Sequence, residues 1–137
     1  MTDAYLVKAE INQPRSKRFV LPAQKTMYGG KRIAKGDVVY LFASENEGGA
    51  GLIARGVVSS ARPMPLKPGV RQTPRVSIIV RRTALARRAL GRDQLKRFRH
   101  WDDGRPETEL NFKFYRQATN KIGGVSEAAA KFLDRHF

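Results

Sequence analysis

KGDVVYLFASEN, residues 35–46, decides the fold. Lys35-Gly36-Asp37 reads as a turn, and Val38 to Ala43 then run apolar and β-rich without a polar break. Strict alternation would mark a strand with one wet face. A continuous run marks a strand covered on both faces. Behind it, ENEGGAG (45–51) is a flexible link containing three glycines. LIARGVVSSA, from Leu52, is a second β-rich run, so the two are expected to pair as a hairpin with a long loop.

Working outward, AYLVKAEI (4–11) reads as a first strand, with Tyr5 and Val7 on one face and Leu6 and Lys8 on the other. Pro14 breaks the pattern. FVLPAQKTMYGGKRI (19–33) is expected to be irregular, because Pro22 and Gly29-Gly30 argue against a long element. SARPMPLKPG (60–69), with three prolines, is a loop leading to RVSIIVRRTAL (75–85), a third clear strand. The stretch from Ala84 to Trp101 has room for one or two short helices, with Gly91 as a break, and DDGRPETE (102–109) reads as a polar turn. NFKFYRQATNKI (111–122) alternates like a further strand. Ser126 has the position of an N-cap. Glu127 sits in the first turn of a last helix and Lys131, Arg135 and His136 near its end, which suits the helix dipole. Phe132, Leu133 and Phe137 are its expected buried face. Strands first, short helices interspersed and one helix last define an α+β chain. The expected architecture is a small closed or partly open barrel of about five or six strands, with helices packed around it.

The chain has 137 residues, enough for one domain with one core, taken as 1–137. Arginine and lysine total 27 against 12 acids, a formal charge of +15. Such a balance draws polyanions by long-range attraction and points to nucleic acid. The chain has no cysteine, which excludes disulfides, thiolate metal sites and a cysteine nucleophile. MTDAYLVKAEI carries an early acid and no long apolar run, so neither a secretory leader nor a membrane span is expected, and the protein is expected in the cytoplasm.

Catalytic signatures are sparse. His136 stands beside the last residue and reads as a helix-end charge, and His100 stands beside Trp101. No histidine spacing or acidic cluster suggests a metal, and no G-K-[ST] follows the glycines of ENEGGAG. No catalytic residue, cofactor or metal is therefore expected. The cations say more. From Arg71 to Arg99 there are ten arginines and lysines and one acid, Asp93, with arginine pairs at 81–82 and 87–88. Arg81 and Arg82 are expected to hold phosphates, a contact that supplies affinity without sequence. Tyr28, beside two glycines, and Trp101 are loop aromatics on which a base can stack.

The ordered motifs resemble the EVE domain, in the PUA-like group that also holds the YTH and ASCH domains. Lys8-Ala9-Glu10 is similar to its K-S-E turn. Gly36-Asp37 with Tyr40, Phe42 and Ser44 is similar to its G-D strand, Ile53 to Val58 to its next strand, and Arg116-Gln117 to the R-Q before its closing helix. The similarity spans nearly the whole chain. It implies a PUA-like barrel with a pocket for one flipped nucleobase, often a modified one. Two departures stand out: Leu6 follows Tyr5 where the family has Trp, and KTMYGGKRIAK replaces the family's Arg-Asn segment. On this reading Ser44, Asn46 and Gln117 meet the base edge, and Tyr28, Trp101 or Tyr115 stacks on it. Lys8, Arg81, Arg82, Arg116 and Lys121 hold the DNA or RNA backbone. The runner-up is an ASCH-like amidohydrolase acting on a modified nucleoside. Lys25-Thr26 starts its K-T-x-T segment, but Tyr28 stands where the nucleophilic Thr belongs. A third reading is a basic interaction module that binds a protein or an anionic small molecule.

Overall fold

The computed structural model describes residues 4–115 and 120–137, and of residues 114 and 115 only the backbone. Six strands close into a barrel in the order β1-β3-β4-β5-β2-β6. They are β1 (Ala4–Ala9), β2 (Arg18–Met27), β3 (Val38–Ala43), β4 (Gly51–Pro63), β5 (Arg75–Leu85) and β6 (Lys121–Gly124). Three short helices, α1 (Arg92–Leu95), α2 (Pro106–Leu110) and α3 (Glu127–Asp134), pack on one side. The β1–β3 and β2–β6 pairs are parallel and the others antiparallel.

Two apolar layers explain the unbroken runs. Tyr5, Val7, Leu21, Val39, Leu41 and Ile78 fill the barrel interior. Leu6, Tyr40 and Phe42, on the opposite faces of β1 and β3, are covered by Leu95, Leu110 and Leu133 of the helices. Burial on both faces is why β3 tolerates no polar residue. The β3–β4 hairpin forms as expected, with its register shifted between Leu41 and Phe42.

Two expectations are corrected. Residues 18–27 are not irregular but form β2. Phe19 and Leu21 point inward and Val20 outward, a period of two that Pro22 interrupts without ending. The register slips between Leu21 and Gln24, and at this bulge the missing proline N–H costs no ladder bond. The Ala23 N–H finds the Ser77 hydroxyl instead, at 2.9 Å. The stretch 111–122 is not one strand. Residues 111–115 extend α2 as a π-helical turn, and strand pairing begins only at Lys121. Asn111 is buried and donates its amide to the Phe98 carbonyl at 3.0 Å, which fixes this turn on the preceding loop. The polar segment 102–109 likewise enters α2 at Pro106, a favourable first helical residue.

Ser126 caps α3 as its spacing suggests, its hydroxyl accepting from the Ala129 N–H at 3.1 Å. Leu133 is fully buried, and Phe132 and Phe137 pack partly buried against the outer layer. No helix among the described residues is long and apolar enough to cross a membrane.

Candidate nucleic-acid interface

One end of the barrel gathers four of the residues expected to touch nucleic acid. Lys8 on β1 is in register with Phe42 on β3 and with Lys121 on β6. One residue beyond the Ala9–Ala43 pair, the Ser44 N–H donates to the Ala9 carbonyl at 2.8 Å, so Ser44 closes the same end. The Ser44 carbonyl accepts from Glu47 and Gly49, folding residues 45–47 into a 3-10 turn that carries Asn46. Asn46 is exposed, and its Oδ1 accepts from Arg92 Nη2 at 2.8 Å. Glu45 takes the Arg92 backbone N–H at 2.9 Å, which docks the start of α1 on this turn. Asn120, where the described chain resumes, donates its N–H to the Lys8 carbonyl and accepts from the Lys25 N–H. Arg116 and Gln117 lie outside the described residues, as does the side chain of Tyr115.

This end is electropositive and partly dry. Lys8 is only 4% exposed and Ser44 1%. Burial first, then the Arg92 and Lys121 cations, lower the Lys8 pKa against the opposing pull of Glu45. Lys8 is thus buried on the outward side of β1, in register with Phe42, while Lys121 beside it is half-buried.

The two loop aromatics stand elsewhere. Tyr28 follows β2, where the Gly124 N–H donates to its carbonyl at 3.1 Å, and Gly124 is in register with Tyr5. Tyr5 and Ala9 lie four residues apart on β1, so Tyr28 and Ser44 are separated by roughly 13 Å along the strand. Tyr28 is 52% exposed and holds a positive φ of 50°. Gly124 is needed beside it, because a Cβ there would meet the Tyr28 carbonyl oxygen at 2.6 Å. Tyr28 and Arg32 line a cleft of about 360 Å³, and Lys113 Nζ sits 5.2 Å from the Tyr28 ring centroid. Lys113 also pairs with Glu109 at 3.3 Å, and Glu109 accepts from both the backbone N–H and the hydroxyl of Ser126. Burial pushes the Glu109 pKa up, but these Ser126 hydrogen bonds and the Lys113 charge outweigh it and hold the carboxyl below its usual range. Trp101, 80% exposed, lines a second concavity of about 370 Å³ that shares Lys113 with the first.

Arg81 and Arg82 divide as neighbours on a strand do. Arg81 is exposed on the outer barrel face, in register with Arg18 and Val57. Arg82 instead donates to the Arg15 carbonyl at 2.6 Å and anchors the β1–β2 loop. Glu109 and Lys113 have the i, i+4 spacing of a helix pair, a signal hidden by the strand-like alternation of 111–122. In the Lys25-Thr26 pair the Thr26 hydroxyl donates to the Pro74 carbonyl at 2.8 Å, and Lys25 points to the opposite face.

The fold is similar to that of the DUF55 domain of human thymocyte nuclear protein 1. The structure of human THYN1 in complex with DNA containing 5-methylcytosine superposes with a TM-score of 0.65 at 15% identity, covering 98% of each chain. The structure of the human DUF55 domain itself gives 0.63 at 15% identity, over 97% of this chain and 98% of that one. A hypothetical protein from Leishmania major gives 0.61 at 16%, over 98% and 94%. At such identities the likeness establishes the fold. No protein-family profile matches the chain, and no curated protein matches it in sequence.

Proposed function

We propose that this chain is a nucleic-acid-binding module that receives one nucleobase, flipped from its strand, at the barrel end formed by Lys8, Ser44, Asn46 and Lys121. The observation that carries the reading is that Lys8 and Lys121 are paired in register at one barrel end, where Ser44 and the turn bearing Asn46 follow β3, with Lys8 buried. A buried cation beside an exposed amide offers charge for the backbone and hydrogen bonds for a base edge. The THYN1 structure, of the same fold, holds DNA containing 5-methylcytosine, which supports a modified cytosine as the first base to try.

The mechanism is binding without turnover. The basic surface draws the strand in, and one base leaves its stack at a cost of a few kcal/mol, least where it is modified, damaged or unpaired. Ser44, Asn46 and Gln117 read its edge, and Tyr115 stacks on it. Arg81, Arg116 and Lys121 hold the neighbouring phosphates. Tyr28 and Trp101, away from this end, are placed to meet bases that flank the flipped one.

The test is fluorescence anisotropy with matched DNA and RNA oligonucleotides, plain or carrying modified cytosine or adenine, across a salt series. A preference for one base that persists as salt rises supports the pocket. Binding that ignores the base and collapses with salt removes the pocket and leaves a charge-driven contact.

A further inference from the structure

We infer that the outer faces of β5, β2 and β6 form a track for a single nucleic-acid strand, a row of cations leading from the β4–β5 loop to the barrel end. The inference rests on the nucleic-acid reading above and deepens it, because it names the surface that holds the strand beside the flipped base.

The row is written in the strand registers. Arg75 on β5 faces Lys25 on β2, Lys25 faces Lys121 on β6, and Lys121 faces Lys8 on β1. Residues adjoining the row in these strands, Val76, Ile122 and Val7, fill the barrel interior, so the alternation turns the four cations away from it, Lys8 under the outer apolar layer. Three inter-strand spacings span roughly 14 Å. Arg75 and Lys25 are exposed, Lys121 is half-buried, and Lys8 ends the row inside the protein. Arg62, in register with Ser77, adds a cation beside Arg75.

Two independent features make this a site for an anion rather than an ordinary wet face. Between Glu47 and Asp93 the chain has no acid. Among the described residues, Arg55 pairs with Asp134, Arg92 with Glu45, Lys96 with Asp93, Lys113 with Glu109 and Lys131 with Glu127, while Arg75, Lys25 and Lys121 enter none of these pairs. Like charges directly opposed across a sheet repel, so a row of them is relieved by a polyanion. It is one cation wide, which matches one backbone rather than two.

The loop at the outer end has the complementary chemistry. Met64, Leu66 and Val70 are 41%, 56% and 58% exposed, in a loop that also carries Lys67, Arg71 and prolines at 65, 68 and 74. The loop is tied to the row, since the Thr26 N–H and hydroxyl both donate to the Pro74 carbonyl and the Met64 N–H donates to Arg75. Prolines limit the freedom such a loop loses on binding, and apolar side chains give unstacked bases a surface.

The test uses the intact chain and single-stranded oligonucleotides of about 3 and about 9 nucleotides, the longer within the usual site size of such surfaces. Replacing Lys25→Gln and Arg75→Gln together should weaken binding of the longer oligonucleotide about tenfold and reduce its salt slope by about 1.4, two phosphate contacts' worth. Binding of the shorter one should stay within about twofold, since it needs only the barrel end. An unchanged slope in a wild-type chain that binds the longer oligonucleotide overturns the track alone. Failure of the wild-type chain to bind any oligonucleotide overturns the nucleic-acid reading and the track with it. Preference for a duplex of equal length, or for anionic phosphatidylserine vesicles, also overturns a single-strand track. If the double variant misfolds by circular dichroism, Lys25→Gln alone should give about half the change in slope.

Discussion

Lys8 and Lys121 stand opposite each other on adjacent antiparallel strands, and Lys8 is buried there. Opposed like charges in a sheet are destabilising by roughly 0.2–1 kcal/mol. Lys121→Gln should therefore raise stability by about 0.5 kcal/mol, read as a higher urea midpoint with an unchanged m-value. The same change should weaken nucleic-acid binding. A residue that lowers stability while raising affinity has a functional reason to be charged. Loss of stability on Lys121→Gln would instead show that the ammonium is held by contacts that outweigh its neighbour.

Glu109 gives the clearest pH dependence. Its carboxylate accepts from Ser126 and pairs with Lys113, and its folded pKa lies below the ordinary 4.5. A depressed carboxyl adds stability that is fully present above its unfolded pKa and is lost as pH falls through the folded one. The wild-type chain should thus lose stability below about pH 4.5, and Glu109→Gln should flatten that part of the curve. At neutral pH the variant should cost about 1–2 kcal/mol, because a charge-assisted link between α2 and the α3 cap is replaced by a neutral one. Denaturant melts across pH compare the two directly.

Tyr40 ties the barrel to the last helix. Its hydroxyl donates to Asp134 at 2.6 Å, and Arg55 Nε stands 3.3 Å from the same carboxylate without the alignment of a hydrogen bond. Burial, then the Asp134 carboxylate, drives the phenol pKa well up, so Tyr40 remains a donor through the physiological range. Tyr40→Phe keeps the ring in the outer core and removes only the donor. It should cost about 1–2 kcal/mol. Leu133→Ala, on the same helix face and fully buried, should cost more, about 2–5 kcal/mol. Thermal melts of the two variants rank the hydrogen bond against the packing.

The strands with one or two apolar faces were legible because burial writes a period into them. Val38 to Ala43 and Arg75 to Leu85 stand at their expected places, and the Ser126 cap follows from residue type and position alone. Pro22 hid β2, since a bulge that absorbs a proline leaves no local mark distinguishing it from a loop. Alternation in NFKFYRQATNKI failed for a different reason. The segment moves from a π-helical turn to a four-residue strand, and its apparent period of two reflects neither. Lys8, Ser44, Asn46 and Lys121, the residues proposed for the site, stand out in the sequence by residue type alone. That they share one end of the barrel depends on the β1–β3 and β1–β6 registers, which are long-range and unwritten in any local pattern. For the same reason the row through Lys25 and Arg75 appears only once the barrel closes.

Trp101 separates packing from recognition. It is 80% exposed and lines an open concavity beside Lys113, so Trp101→Ala should leave stability within about 0.5 kcal/mol of wild type. A loop aromatic that stacks on a flanking base contributes roughly 1–3 kcal/mol, a loss of about 5-fold to 150-fold in affinity on truncation. Stacking involves no phosphate, so the salt slope should hold while the intercept falls, the reverse of the Lys25 and Arg75 pattern. Tyr28→Ala should behave in the same way, provided the backbone around Gly124 retains its melting behaviour. If both aromatics can be removed with affinity unchanged, the strand does not cross the Lys113 side of the barrel. Binding would then be confined to the end beside Ser44 and the outer cationic face.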